Sequence, residues 1–210
     1  MDARSHWNQI YRTRPPTELS WYQPHARVSL ELIGRASPPP NGPIIDVGGG
    51  ASTLIDDLVE AGYGDLTVLD TSATALALAR TRLGDRAAAV QWIEADILDA
   101  LLPKARFSVW HDRAAFHFLT DPADRARYVA QARTAMRPGG FAVVATFADD
   151  GPTRCSGLDV VRYSAGTLHT QFGAGFRLVE SERDEHTTPG GTRQAFVYCL
   201  FRLDEQHPGG

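Results

Sequence analysis

The sequence predicts an α/β fold: a three-layer α/β/α sandwich around a doubly wound, mostly parallel sheet of seven strands. Short apolar runs typical of buried strands alternate with stretches whose apolar residues recur at helical spacing. The last two runs, residues 176–183 and 194–203, are separated by a Thr-Pro-Gly-Gly turn at 188–191 and by no helix. Because only antiparallel strands can be joined this directly, the final strand is expected to be antiparallel.

The N-terminal residues precede this alternating pattern. Residues 1–24 are rich in aromatic side chains, contain Pro15-Pro16 and are expected to be irregular. A helix is expected over residues 25–35, where the apolar residues share one face. The proline- and glycine-rich run at residues 37–43 is expected to end this helix, because neither residue type continues a helix well.

Five strands are predicted before the closing pair, at residues 44–47, 66–70, 90–94, 107–111 and 141–147. Helices are predicted wherever a capping side chain precedes a periodic apolar stretch. Ser52 and Ser72 are expected to cap two of these helices, and Asp121 a third, in the favoured order of cap followed by proline. Ser164 is expected to cap a short helix before the closing strands.

The composition is that of an ordinary globular domain. The chain has 210 residues, a formal net charge of −4 and 43% hydrophobic residues. We expect a single domain over residues 1–210, with an N-terminal lid segment (1–40), a core (41–203) and a loose tail (204–210). No apolar run approaches the roughly 18–20 residues that cross a membrane, and no secretory signal or stripe of basic residues is present. A soluble, cytoplasmic protein without a membrane or nucleic-acid partner is therefore expected.

Three carboxylates accompany three successive predicted strands. Asp46 lies just before the glycine loop Gly48-Gly49-Gly50, while Asp70 and Asp96 follow the next two strands. The carboxyl ends of parallel strands meet at one edge of a sheet, so these side chains are expected to face one crevice. Glycines let a ligand approach the backbone, and carboxylates accept hydrogen bonds from ribose hydroxyls or an adenine amine. Each acid alone could instead cap a helix or turn, an alternative that explains the set of three poorly.

Two other nucleotide-dependent activities lack their motifs. The nicotinamide fingerprint G-x-G-x-x-G has Thr53 in place of its third glycine. The only lysine, Lys104, has Ala100 where a short-chain dehydrogenase needs a tyrosine. The phosphate-binding pattern G-x-x-x-x-G-K-[ST] is absent as well. These motifs therefore support neither such a dehydrogenase nor a P-loop phosphotransferase.

Four motifs together resemble the class I S-adenosylmethionine-dependent methyltransferases over residues 40–203, in the family's order and at its spacings. They are Ile44-Ile45-Asp46-Val47-Gly48-Gly49-Gly50, Leu69-Asp70, Ala95-Asp96-Ile97 and Arg137-Pro138-Gly139-Gly140. The resemblance implies S-adenosylmethionine as the cofactor. The positions it assigns to the methionine part are Asp46, Gly48, Gly49 and Gly50; to the ribose, Asp70, Thr71 and Ser72; and to adenine, Asp96 and Ile97.

The aromatic residues near the N-terminus resemble a segment found in one subgroup of these enzymes. That subgroup includes thiopurine methyltransferase-like and elongation-factor lysine methyltransferase-like enzymes, in which a segment bearing Trp and Tyr folds over the cofactor. A sulfonium cation is attracted to an aromatic ring face. The resemblance assigns Trp7, Tyr11 and Trp21 to the cofactor, and Tyr22 is a candidate acceptor contact. Alternatively, these aromatic side chains only pack under the N-terminal helix.

The fourth strand runs into His111-Asp112-Arg113, at the rim where the methyl group is expected. His111 or Asp112 could orient or deprotonate an acceptor, so both are candidate catalytic residues, and His111 is also a candidate cofactor contact. Asp112 could instead cap the following turn or pair with Arg113. His117, slightly further along the chain, is a candidate contact to the acceptor.

The loop after the fifth strand, residues 149–163, is longer than a simple connection requires. Its place at the carboxyl end of the sheet makes it a candidate wall of the acceptor site, with a solvated loop as the alternative. Arg154 could bind an anionic acceptor, and Cys155 could line the wall. Cys155 and Cys199 are too few for a disulfide framework, and the histidines show no metal-ligand spacing, so no metal is expected.

We therefore expect methyl transfer from S-adenosylmethionine to a heteroatom of a small-molecule acceptor, since no appended domain is predicted to hold a macromolecule. A protein lysine N-methyltransferase is the alternative that the aromatic N-terminal segment supports. A non-catalytic module that binds S-adenosylmethionine is a further alternative. Enzymes that methylate nucleobase amines carry an Asn/Asp-Pro-Pro-aromatic sequence after the fourth strand, and its absence here argues against a nucleic-acid acceptor.

Overall fold

The computed structural model describes residues 2–36 and 42–205 and contains every predicted strand, together with one short hairpin. The strands are β1 (Ile44–Val47), β2 (Leu66–Asp70), β3 (Val90–Glu94), β4 (Phe107–Arg113), β5 (Met136–Phe147), β6 (Arg154–Cys155), β7 (Leu158–Asp159), β8 (Phe176–Thr187) and β9 (Arg193–Leu203). Strands β6 and β7 form the hairpin, inside the loop predicted at residues 149–163.

The main sheet has seven strands in the order β3-β2-β1-β4-β5-β9-β8. Strands β1 to β5 are parallel to one another, and β9 inserts antiparallel between β5 and β8. The predicted α/β/α sandwich with an antiparallel final strand is therefore confirmed. The carboxyl ends of β1, β2, β3 and β4 lie side by side, as the sequence motifs require.

The helices flank this sheet. They are α1 (Ala3–Thr13), α2 (Arg27–Arg35), α3 (Leu54–Glu60), α4 (Ala73–Leu83), α5 (Pro122–Ala135) and α6 (Ala165–Phe172). The predicted caps at Ser72, Asp121 and Ser164 are confirmed, because each side chain accepts a backbone N–H of the first helical turn. Helix α3 begins two residues after Ser52, whose hydroxyl accepts the amide of Leu54 at 3.1 Å.

Helix α1 corrects the prediction that residues 1–24 are irregular. The Asp2 carboxylate accepts the amide of Ser5 at 2.9 Å and so caps the helix at its start. Trp7 and Tyr11 are four residues apart, which places both on one face. An acid at the cap and aromatic residues at this spacing are the signals of a helix, although Pro15-Pro16 obscured them.

Several strands are longer than predicted because their neighbours continue to pair with them. Strand β4 extends to Arg113, which pairs with Ala145 of β5. Strand β5 begins at Met136 rather than at residue 141, and Met136 pairs with Phe107. The closing strands also run further towards their turn, over residues 176–187 and 193–203.

Alternation along β4 decides where each side chain at the rim can go. Trp110 belongs to an apolar core with Tyr128 of α5, whereas Val109 belongs to a second core with Leu32 of α2. His111 and Arg113 share the face of Val109, while Asp112 shares the face of Trp110.

Part of the predicted chain lies outside the described residues. This applies to most of the proline- and glycine-rich run, at residues 37–41, and to the tail beyond residue 205. Among the helices of the described part, none combines the length and apolar character needed to span a membrane.

Candidate functional site

A cavity of about 880 Å³, open to solvent, lies over the carboxyl ends of β1 to β4. A neighbouring compartment of about 540 Å³ extends it towards α2. The residues that line both compartments are Tyr11, Trp21, Gly48 and Arg113. Together the two spaces form one elongated site between the sheet and the N-terminal segment.

Asp70 lies at the end of β2, where its carboxylate lines the first compartment. Its Oδ1 atom accepts the amide of Ser72 at 2.7 Å. Burial raises the pKa of Asp70 to about 7, and the negative charge of Asp46 adds to that shift. The site therefore holds a carboxylate that is well placed to accept hydrogen bonds from a bound ligand.

The glycine loop keeps the backbone close to these acids. Gly48 and Gly50 have φ values of +68° and +42°, which favour glycine. A Cβ atom at Gly49 would collide with the carboxylate of Asp46, and one at Gly50 would lie 2.7 Å from Oδ2 of Asp70. Gly48 and Gly49 line the site, whereas Gly50 lies outside its lining.

Asp46, His111 and Ser29 form a buried chain of hydrogen bonds beneath the second compartment. Oδ1 of Asp46 lies 2.7 Å from Nδ1 of His111, and Nε2 of His111 lies 2.9 Å from the Ser29 hydroxyl. The other oxygen of Asp46, Oδ2, is buried and has no partner in the described part of the chain. Because a buried carboxylate oxygen needs a donor, Oδ2 fits the amine of a ligand in this compartment.

Asp112 is turned away from the cavity, which argues against its predicted catalytic role. Its carboxylate has no exposed surface and accepts the amides of Ala115 and Phe116 and, at 2.6 Å, the hydroxyl of Tyr128. Burial raises the pKa of Asp112 to about 6, and these hydrogen bonds oppose the shift. These contacts match the alternative expectation, in which Asp112 caps the turn after β4.

Aromatic residues of the N-terminal segment cover the first compartment. The Trp7 ring centroid lies 5.6 Å from that of Trp21 and 5.1 Å from that of Phe118, both in edge contacts. Trp7, Tyr11 and Trp21 all line the cavity. Asn8 fixes α1 over the site, because its Oδ1 accepts the Ser72 hydroxyl at 2.8 Å and the Thr74 amide at 3.2 Å.

Most of the other predicted contacts also lie at the site. Thr71, Asp96, Ile97 and Cys155 line the first compartment, and Tyr22 and His111 line the second. Ser72 lies beneath the lining, where it caps α4. Burial raises the pKa of the Cys155 thiol, so it is a protonated wall residue.

Two predicted acceptor contacts lie elsewhere. His117 is fully buried under the site, next to Phe147, and burial lowers its pKa to about 3. Arg154 is exposed. Its guanidinium forms an ion pair with Asp159 at 3.1 Å and donates a hydrogen bond to the Gly157 carbonyl. Neither residue lines either compartment of the cavity, so the structure does not support the predicted contact with the acceptor.

Sequence reasoning missed Arg113 and Phe118 as lining residues. Arg113 is two positions beyond His111 and therefore shares its face of β4, a signal that was available once the strand was extended. Phe118 is brought over the cavity by a short 3₁₀ turn at Phe116–Phe118, which carries no clear sequence pattern.

Residues 44–140 match the family model of a methyltransferase domain. No curated protein matches the sequence. The matched region contains Asp46, the glycine loop, Asp70 and Asp96, which are the residues that meet at the cavity.

The fold resembles that of several solved structures. A structure from work on the conversion of a disulfide bond into a thioacetal group during echinomycin biosynthesis has a TM-score of 0.74 and 23% identity, covering 99% of this chain and 94% of that one. N-methyltransferase NodS from Bradyrhizobium japonicum, solved with S-adenosylhomocysteine, has a TM-score of 0.73 and 16% identity over 97% and 100%. The 1,6-didemethyltoxoflavin-N1-methyltransferase of Burkholderia thailandensis has a TM-score of 0.69 and 18% identity, and the match covers 97% of this chain and 84% of that one.

The family match and the shared fold point to the same class of protein. A methyltransferase domain of this fold implies S-adenosylmethionine as the methyl donor. Residues 44–140 are therefore similar to a methyltransferase domain, in a chain that has the Rossmann-like methyltransferase fold.

Proposed function

We propose that this protein transfers a methyl group from S-adenosylmethionine to a heteroatom of a small-molecule acceptor. The observation that carries the proposal is the pair of buried carboxylates, Asp46 and Asp70, on the lining of the two connected compartments. Oδ2 of Asp46 lacks a partner among the described residues, and Asp70 lies at the strand end where ribose-binding acids occur.

The residues present fit this cofactor along its length. Asp96 and Ile97 would hold the adenine, Asp70 with Thr71 the ribose hydroxyls, and Gly48 with Gly49 the chain that follows. The unpartnered oxygen of Asp46 would accept the methionine amine, which completes its hydrogen bonding. When bound, S-adenosylmethionine supplies a methyl group on a positively charged sulfur.

The N-terminal segment would exclude water from the transfer. Trp7, Tyr11 and Trp21 surround the cavity with aromatic rings, which attract a sulfonium cation and repel bulk solvent. Closing such a site aligns the two reactants, and alignment is the main contribution a protein makes to a displacement at carbon. This role agrees with the predicted lid, and we retain it as part of the proposal.

A small molecule suits the site better than a lysine side chain. The cavity is partly enclosed by α1, and Arg113 places a positive charge on the lining of both compartments. A lysine ammonium group would meet that charge as it approached. Two of the similar structures are of N-methyltransferases, one of them for 1,6-didemethyltoxoflavin, which supports a small acceptor without identifying it.

The experiment is an assay for S-adenosylhomocysteine release, in which the purified protein and S-adenosylmethionine are incubated with thiols, carboxylic acids, amines and lysine peptides. We expect release with a member of the small-molecule sets and none with the peptides. Release with peptides alone would indicate the lysine methyltransferase. Cofactor binding without release from any acceptor would indicate the non-catalytic module.

A further inference from the structure

Arg113 lines both compartments of the cavity, and its guanidinium is held by several contacts. Its Nε donates to the Tyr198 hydroxyl at 2.8 Å, and its Nη1 donates to the Trp21 carbonyl at 3.0 Å. The guanidinium carbon lies 4.5 Å from the centroid of the Phe196 ring. These contacts fix the side chain in one orientation and leave Nη2 without a hydrogen-bond partner among the described residues.

The positive charge of Arg113 has no counter-ion in the described part of the chain. The side chain is absent from the ion pairs formed there, in which other arginines such as Arg82 and Arg183 take part. Its Nη2 is buried and lacks a hydrogen-bond partner among the same residues. A partly buried charge without a partner is costly, which indicates that a ligand completes it.

The position of Arg113 places its charge away from the nucleoside end of the site. Tyr198 and Phe196 belong to β9, four strands away from β2, which carries Asp70. Neighbouring strands are about 4.8 Å apart, so the guanidinium is anchored far from the nucleoside end of the cavity. Cys155, which comes from the loop after β5, also lines this part of the site.

We propose that the acceptor binds as an anion, a carboxylate or a thiolate, and that Arg113 is its counter-ion; this inference rests on the proposed function. An anionic acceptor uses its own electron pair to form the bond to the methyl carbon. The carbon–sulfur bond breaks at the same time, and its electron pair stays on sulfur. Opposite charges are neutralised, and no proton has to be removed.

The residues around the site agree with a reaction that needs no general base. His111 engages both ring nitrogens, with Asp46 and Ser29, and is not free to accept a proton from an acceptor. Asp112 and His117 lie outside the lining. Arg113 would instead orient the acceptor and hold it in its charged form, because a guanidinium binds an anion best when both are shielded from water.

The test is calorimetric and uses the full-length protein saturated with S-adenosylhomocysteine. The probes are acetate, benzoate and 3-mercaptopropionate, each compared with its neutral amide. We expect at least one anion to bind at least about tenfold more tightly than its amide. Arg113→Gln is expected to remove that preference, Arg113→Lys to keep part of it, and the exposed control Arg177→Gln to leave it intact.

Several results would overturn the inference while leaving the proposed function in place. One is wild-type protein that binds the cofactor but shows no preference for any anion. Another is an Arg113→Gln variant that loses affinity for S-adenosylhomocysteine but not for 5′-methylthioadenosine, which would assign Arg113 to the methionine carboxylate. If Arg113→Gln does not fold, the affinities of the anions and their amides for the wild-type protein still show whether the site prefers an anionic acceptor. Failure of the wild-type protein to bind the cofactor contradicts the proposed function itself.

Discussion

The carboxylate of Asp46 lies 2.7 Å from Nδ1 of His111, and both side chains are almost completely buried. The other ring nitrogen of His111 contacts the Ser29 hydroxyl of α2 at 2.9 Å. His111 thus connects β1 to α2 beneath the methionine end of the proposed cofactor site. We propose that it orients Asp46 towards the cavity and would act on a bound ligand through that carboxylate.

We predict that His111→Ala lowers the free energy of unfolding by about 2–3 kcal/mol, because it leaves Asp46 and Ser29 without their buried partner. Ser29→Ala, the milder control, removes one hydrogen bond and is expected to cost about 1 kcal/mol. Urea unfolding at pH 7 measures both, and calorimetry is expected to show weaker S-adenosylmethionine binding by His111→Ala. A His111→Ala variant with normal stability and cofactor affinity but no turnover would instead indicate a general base.

Tyr128→Phe tests the structural role given to Asp112. The Tyr128 hydroxyl donates to Asp112 at 2.6 Å and accepts the Trp110 indole N–H at 2.9 Å, so its loss leaves the buried Trp110 N–H unpaired and removes one of the hydrogen bonds to Asp112. We expect a loss of about 1–3 kcal/mol with unchanged cofactor affinity. Tyr163→Phe is a matched control, because the buried Tyr163 hydroxyl has no partner in the described chain. A smaller loss for Tyr128→Phe than for this control would contradict the assignment.

The raised pKa of Asp70 predicts how stability depends on pH. Folding raises the pKa of this carboxyl from 3.8 to about 7, so the folded protein binds its proton more tightly than the unfolded chain. The free energy of unfolding therefore falls as pH rises between those two values. Asp70→Asn cannot ionise, and we expect its stability relative to the wild-type protein to increase between pH 5 and pH 8 in urea unfolding. A constant difference would show that Asp70 has an ordinary pKa.

Asn8→Ala tests whether α1 is fixed over the cofactor. The change removes the bonds from Asn8 to Ser72 and Thr74, so α1 is held less firmly and S-adenosylmethionine affinity is expected to fall by about three- to tenfold. Gln9→Ala alters the exposed neighbouring position and is expected to have no effect. Equal affinities in the two variants, measured by calorimetry, would mean that α1 does not contribute.

Local patterns in the sequence predicted the sheet and the cluster of acids at the proposed cofactor end of the site. Buried parallel strands are continuous apolar runs, and the caps at Ser72 and Asp121 mark where the helices start, so the strand ends that carry Asp46, Asp70 and Asp96 could be located. Because β1, β2 and β3 are parallel neighbours in the sheet, their carboxyl ends lie side by side and bring these acids together.

The acceptor end could not be predicted in the same way, because it depends on side-chain direction and long-range packing. Asp112 and Arg113 are neighbours in sequence but lie on opposite faces of β4, and only the extended pairing with β5 shows which one reaches the cavity. Arg154 is close in sequence to the cavity residue Cys155, yet the β6–β7 hairpin directs its guanidinium to Asp159 instead.

Calorimetric titration of S-adenosylmethionine into the wild-type protein and into Asp70→Ala tests whether the cavity binds this cofactor. We predict binding in the micromolar range by the wild-type protein and no measurable binding by Asp70→Ala, with the variant shown to be folded by circular dichroism. Absence of binding to the wild-type protein, or equal affinity in the two proteins, would contradict this prediction.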